Sequence, residues 1–138
     1  MAVFFKVDSS LYTVGHGDFL HSFFSTISYR LEPNGWGTKY PYLIEKLYGG
    51  ELAWVEVPEA INELNQIQEG LARFGPEEVI WDIEDLNKRP PWGDNISADI
   101  TNLSNYFITS NGKDLFSVLL NALNESLSTR TDIEIVSR

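Results

Sequence analysis

The chain contains no cysteine. That excludes a disulfide scaffold, a cysteine nucleophile and any cysteine-ligated zinc site, and it fits a reducing compartment. Histidine is scarce too, with only His16 and His21. Beside Asp18 they outline a metal site at most loosely. They lie five residues apart rather than the four of a helical HxxxH pair, and no third strong ligand is near. No metal or cofactor is therefore expected. His16, between two glycines, is expected to make a turn hydrogen bond, and His21 to sit on the surface or edge of a helix. Positive charge is also short: 10 Lys and Arg stand against 20 Asp and Glu, a net charge of −10. Such a field repels nucleic acid and anionic lipid, so neither is expected as a partner. It suits a basic protein partner, or plain solubility. No apolar run approaches the ~18 residues of a membrane-spanning helix. The start, Met1-Ala2-Val3-Phe4-Phe5-Lys6-Val7-Asp8, has no charged segment followed by a long apolar stretch, so no signal peptide is expected and the location expected is cytoplasmic. Gly15-His16-Gly17 lacks the GxxxxGK[ST] phosphate-loop pattern, and there is no GxSxG elbow. Repeats, low-complexity segments and linkers are missing as well.

What is present is a globular composition. The 138 residues are 43% hydrophobic and 13% aromatic, with four Trp, six Tyr and eight Phe. That is the size of one domain, expected to span residues 1–138, and large enough to fold around its own core. Val3–Val7 reads as a strand, Asp8-Ser9-Ser10 as a turn and Leu11–Val14 as a second strand, which makes a hairpin. Asp18 is placed to cap a helix with Leu20, Phe23, Phe24, Ile27 and Leu31 on its buried face. Pro33 to Gly37 is a loop. Tyr40–Tyr48 is a short helix ended by Gly49-Gly50, and Leu52–Val57 is ambiguous, with an extended conformation as one reading. Pro58–Phe74 is the clearest helix, closed by Gly75-Pro76, with Ile61, Leu64, Ile67, Leu71 and Phe74 as its apolar stripe. Val79–Ile83 reads as a strand, Asp85–Ile96 as a loop and Asn105–Thr109 as a further strand. Lys113–Leu127 reads as a helix with Phe116, Leu119, Leu120, Leu123 and Leu127 inward, and Asp132–Val136 as a closing strand. The expected fold is an α+β two-layer sandwich: about three main helices packed on a mixed or antiparallel sheet of five or six short strands, two of them being Val79–Ile83 and Tyr106–Thr109.

Two loops place a tryptophan among Gly or Pro: Gly35-Trp36-Gly37 and Pro90-Pro91-Trp92-Gly93. A Trp on a stiff loop is a good interface anchor, because a large contact area comes with little loss of entropy. A loop Trp can equally fold back as a lid on the core, and both readings stay open. Around Trp92 lie Asp82, Glu84, Asp85, Asp94 and Asp99 against Lys88 and Arg89. An acidic rim around an aromatic centre suits a basic protein. In a strand Asp82 and Glu84 would share one face, and paired carboxylates can do acid–base work. More often such a pair is simply a solvated face.

Several runs resemble the immunity protein 70 family. They are Val14-Gly15-His16-Gly17-Asp18-Phe19, Ser22-Phe23-Phe24-Ser25-Thr26-Ile27, Gly35-Trp36-Gly37, Leu47-Tyr48-Gly49-Gly50, Val79-Ile80-Trp81-Asp82-Ile83 and Pro90-Pro91-Trp92-Gly93. The stretch from Ile100-Thr101-Asn102-Leu103 through Tyr106-Phe107-Ile108-Thr109 to Gly112-Lys113-Asp114-Leu115 does so too. The resemblance implies an α+β protein of a bacterial polymorphic-toxin system, which neutralises a toxin by capping it and carries no catalytic residues. The toxin domain, a basic nuclease being one candidate, is then the expected partner. Its contacts are expected at Trp36, Asp82, Glu84, Asp85, Trp92 and Asp94. Two other readings remain: a carboxylate-based hydrolase using Asp82, Glu84 or Asp85, and a homo-oligomeric structural protein whose exposed aromatics self-associate.

Overall fold

In the computed structural model, which describes residues 2–138, the chain opens with a hairpin. Strand β1 (Ala2–Val7) pairs antiparallel with β2 (Ser10–His16). Asp8 turns the corner at φ +54, a left-handed conformation that Asp tolerates better than most residues. The β1–β2 register shifts between Val3 and Phe4. Gly15 sits at φ +138, and a Cβ there would lie 3.5 Å from the Ser110 backbone nitrogen. Strand β4 (Ile133–Ser137) pairs with the other edge of β1, and the two-residue β3 (Glu51–Leu52) pairs with β4. The order is β2-β1-β4-β3, all antiparallel. Phe5, Val7, Leu52 and Ile133 point inward and are fully buried. The alternating residues Phe4, Lys6, Glu134 and Val136 form the other, partly exposed face.

Helix α1 (Gly17–Leu31) and helix α3 (Leu115–Thr129) cover the inner face. Helix α2 (Val57–Leu71) packs chiefly on α3 and α1. Phe23 of α1 is the hub of the core. Its ring meets Phe24, Phe107 and Phe116 edge-on, each at 5.2 Å between centroids. The inward set on α3 holds at Phe116, Leu119 and Leu123, but Leu127 is 38% exposed because it lies at the last turn.

The class is α+β as expected, with four strands among the described residues rather than five or six. Val79–Ile83 is not a strand. It runs along α1, whose buried hydroxyls replace a neighbouring strand. Ser22 Oγ and Thr26 Oγ1 donate to the Ile80 carbonyl at 2.8 and 3.0 Å. The Ile80 N–H donates to Thr26 Oγ1 at 3.0 Å, and the Ile83 N–H to Ser25 Oγ at 3.2 Å. Backbone groups need partners, and here side chains supply them.

Asn105–Thr109 is not a strand of the sheet either. Ile108 forms an isolated bridge with Asp114. The Phe107 carbonyl accepts from Leu115 N–H, and the Thr109 N–H donates to Lys113, so the segment pairs with its own continuation. Tyr106 and Phe107 are both buried, which an alternating strand with one wet face does not allow.

Elsewhere the bounds shift. Residues 54–56 form a 3-10 turn leading into α2, so only Leu52 of the ambiguous stretch lies in a strand. Tyr42–Leu47 is a π-helical turn. His16, not Asp18, caps α1: its Nδ1 accepts the Asp18 N–H at 3.2 Å. Asp18 lies in the first turn, where its negative charge suits the helix dipole.

Candidate functional site

The Trp36 loop is held from beneath. Glu32, at the end of α1, is buried, and its carboxylate accepts three backbone N–H groups: Gly37 at 2.9 Å, Lys39 at 3.0 Å and Tyr40 at 2.9 Å. Hydrogen bonds to a charged acceptor contribute more than neutral ones, roughly 1.5–3 kcal/mol each before the cost of burying the charge. Gly37 sits at φ +75, and a Cβ there would fall 2.4 Å from Glu45 Cγ. The Gly-Trp-Gly motif thus provides the left-handed turn, and Glu32 locks it. Trp36 itself stays 38% exposed while its ring lies 6.1 Å from Tyr48.

Tyr48 joins this loop to the acidic one. Its ring stacks on Phe24 at 4.4 Å. Its hydroxyl lies 2.8 Å from His21 Nδ1, and His21 Nε2 lies 3.1 Å from Asp82 Oδ1. A carboxylate only accepts, so Nε2 carries the hydrogen, and in the neutral ring Nδ1 accepts from Tyr48. Asp82 also accepts the Glu84 N–H at 2.9 Å and faces Lys88 Nζ at 3.7 Å. The Glu84 N–H, then His21 and Lys88, hold its carboxyl below the usual Asp range. Burial, with the charges of Asp18, Asp82 and Glu84, pushes the Tyr48 hydroxyl up.

The Tyr–His–Asp line joins α1 to two loops: His21 stands on α1, and its two ring nitrogens reach Tyr48 on one side and Asp82 on the other.

The structure therefore separates the expected contact residues. Asp82 is 19% exposed at its side chain and is committed to His21 and Lys88. Asp85 is half-buried and accepts the Asn87 N–H at 3.2 Å. Glu84, Asp94 and Asp99 are exposed. Because 79–83 is not a strand, Asp82 and Glu84 do not share a sheet face. Instead Asp82 folds back to accept the Glu84 amide. Trp92 is both lid and surface. It meets Trp81 edge-on at 5.3 Å and donates from Nε1 to Tyr106 Oη at 2.8 Å, yet stays 36% exposed. Trp36 and Asp82 are linked through Tyr48 and His21, and Trp92 is linked to the residue before Asp82.

Sequence reasoning missed His21, Glu32, Tyr48 and Glu63 as the groups that hold these loops. Glu63 is buried and accepts the N–H groups of Leu43 at 3.0 Å and Tyr42 at 3.3 Å. Burial raises its carboxyl above the usual Glu range against the pull of those two N–H groups. A signal for it existed, since position 63 falls on the inward stripe 60-64-67-71 of α2. Among the described residues no group of three or more His, Cys, Asp or Glu is placed to hold a metal ion. No helix among them is long and apolar enough to cross a membrane.

The family model described as Immunity protein 70 matches residues 5–135, nearly the whole chain. No curated protein and no solved structure matches it.

Proposed function

Because the chain belongs to the immunity protein 70 family, we propose that it binds a cognate bacterial toxin and neutralises it stoichiometrically, by capping rather than by catalysis. The observation that carries this reading is the family match over residues 5–135. It acts as one domain over residues 1–138, in the cytoplasm, on a toxin domain whose gene neighbours its own. The contact surface of this reading takes in Trp36, Trp92 and the exposed carboxylates Glu84 and Asp94, together with the less exposed Asp85 and Asp82. Both tryptophans are partly exposed and held by neighbours, so little ordering remains to be done on binding. The net charge of −10 favours a basic toxin, a nuclease among them, by speeding encounter.

The test is co-expression with the C-terminal domain of the neighbouring toxin gene. The expected result is survival of the host and recovery of both chains as one complex. Survival without a complex, or a complex that leaves the toxin active, contradicts the reading. Size-exclusion chromatography of the protein alone separates it from a self-associating structural protein, which elutes as an oligomer without any toxin.

A further inference from the structure

A cleft of about 640 Å³ opens beside the Trp92 loop. Pro76, Val79, Pro90 and Ile96 give it apolar walls, and Tyr106 lines it as well. Glu77, Asp94 and Arg89 also line it. None of the three has an ion-pair partner within 4.0 Å among the described residues. Two carboxylates against one guanidinium leave the cleft negative, within a molecule that is itself strongly negative. Walls of low polarity concentrate such a field. The Tyr106 hydroxyl accepts the Trp92 indole N–H, which leaves its own proton to donate. Burial and, further, the charge of Asp94 push the Tyr106 hydroxyl up against the pull of the Trp92 N–H.

We propose that this cleft receives a lysine or arginine side chain from a loop of the protein partner, a step that rests on the binder reading above. The aliphatic stem of such a guest covers Pro76, Val79 and Ile96, and its cationic head meets Glu77 and Asp94. Long basic side chains join these two properties in one group. Arg89 is left to donate to a main-chain carbonyl of the guest. The volume falls in the range of ligand pockets, roughly 300–1,000 Å³, so the main chain on either side of the guest has room as well. An apolar guest would desolvate two carboxylates without pairing them, and an acidic one would face two like charges with one arginine.

The experiment uses the full chain and small probes in place of the partner: Nα-acetyl-lysine N-methylamide and Nα-acetyl-arginine N-methylamide. Nα-acetyl-norleucine N-methylamide is the neutral control and Nα-acetyl-glutamate N-methylamide the acidic one. Binding is followed by NMR through the Trp92 indole N–H, the Tyr106 ring and the Ile96 methyl groups. The basic probes are expected to shift these signals saturably, with a Kd on the order of millimolar for one side chain. The norleucine and glutamate probes should bind at least about fivefold more weakly, a difference near 1 kcal/mol. The double variant Glu77→Gln, Asp94→Asn should lose the preference while its own Trp92 and Tyr106 signals report an unchanged fold. Norleucine binding as well as lysine, or shifts scattered over the acidic surface and indifferent to the double variant, overturns the proposal. If the probes fail this test while the protein still caps its toxin, the cleft assignment falls and the binder reading stands. Probe binding without any toxin complex gives the reverse.

Discussion

Single buried carboxylates organise the loops of this protein, and they make its stability depend on pH in a readable way. Glu63 has a folded pKa above its unfolded value of about 4.3. Its protonated form is therefore favoured by folding. The associated stability is fully present below about pH 4.3 and is lost as pH rises through the folded value. Glu63→Gln removes the charge and keeps one acceptor for the Leu43 N–H. Denaturant unfolding is expected to show wild type gaining on the Gln variant as pH is lowered from 7 toward 4. A constant difference over that range would mean that Glu63 is not desolvated. Asp82 has the opposite sign: its folded pKa is depressed, so its contribution is present above about pH 3.9 and is lost as pH falls through the lower folded value. Trp92→Ala loses an edge-on aromatic contact and one hydrogen bond, which sum to roughly 1–3 kcal/mol of stability. Trp92→Phe keeps the ring contact and should recover about half of that. A melting temperature unchanged by Trp92→Ala would make the indole pure surface.

At the scale of elements, regular periodicity was legible and side-chain substitution for backbone pairing was not. The three helices, the hairpin and the closing strand follow from spacings such as Leu20-Phe23-Phe24-Ile27 and from Pro58 near a helix start, and they stand within a few residues of expectation. Val79–Ile83 has a strand's composition. Only the three-dimensional packing reveals that Ser22, Ser25 and Thr26, polar residues on a buried helix face, are its partners. Those residues in an apolar stripe were the available hint. Thr26→Val leaves the Ile80 N–H without its acceptor and the Ile80 carbonyl with one donor. The expected cost is about 1–3 kcal/mol, with faster hydrogen exchange at the Ile80 amide. Protection unchanged at Ile80 would show that the segment is held by other contacts. Phe23→Ala, at the meeting point of three aromatic rings, should cost roughly 3–5 kcal/mol by chemical denaturation. The residues proposed for contact were legible only as types. The tryptophans and acids were visible in sequence, whereas the His21 bridge, which spans 61 residues to Asp82, leaves no local trace.

For the whole molecule, the excess of negative charge and the stiffened aromatic loops belong to one account, in which steering brings a basic partner in and packed anchors keep it. Under the proposed reading, exposed Glu84 and half-buried Asp85 serve the first part. Reversing both to Lys should slow association about two- to tenfold at low ionic strength, and the loss should shrink in high salt. Association rates that ignore both changes would remove this rim from the interface. The central claim, neutralisation by capping, is tested most directly by titrating the purified protein into its toxin domain while the toxin's residual activity and the heat of binding are recorded together. The account predicts that activity falls linearly and reaches its floor at one equivalent, the point at which the heat also ends, and that active toxin returns when the complex is dissociated. Full inactivation by a small fraction of an equivalent, or inactivation with no heat of binding, would mean that the protein acts on the toxin as an enzyme and would contradict the account.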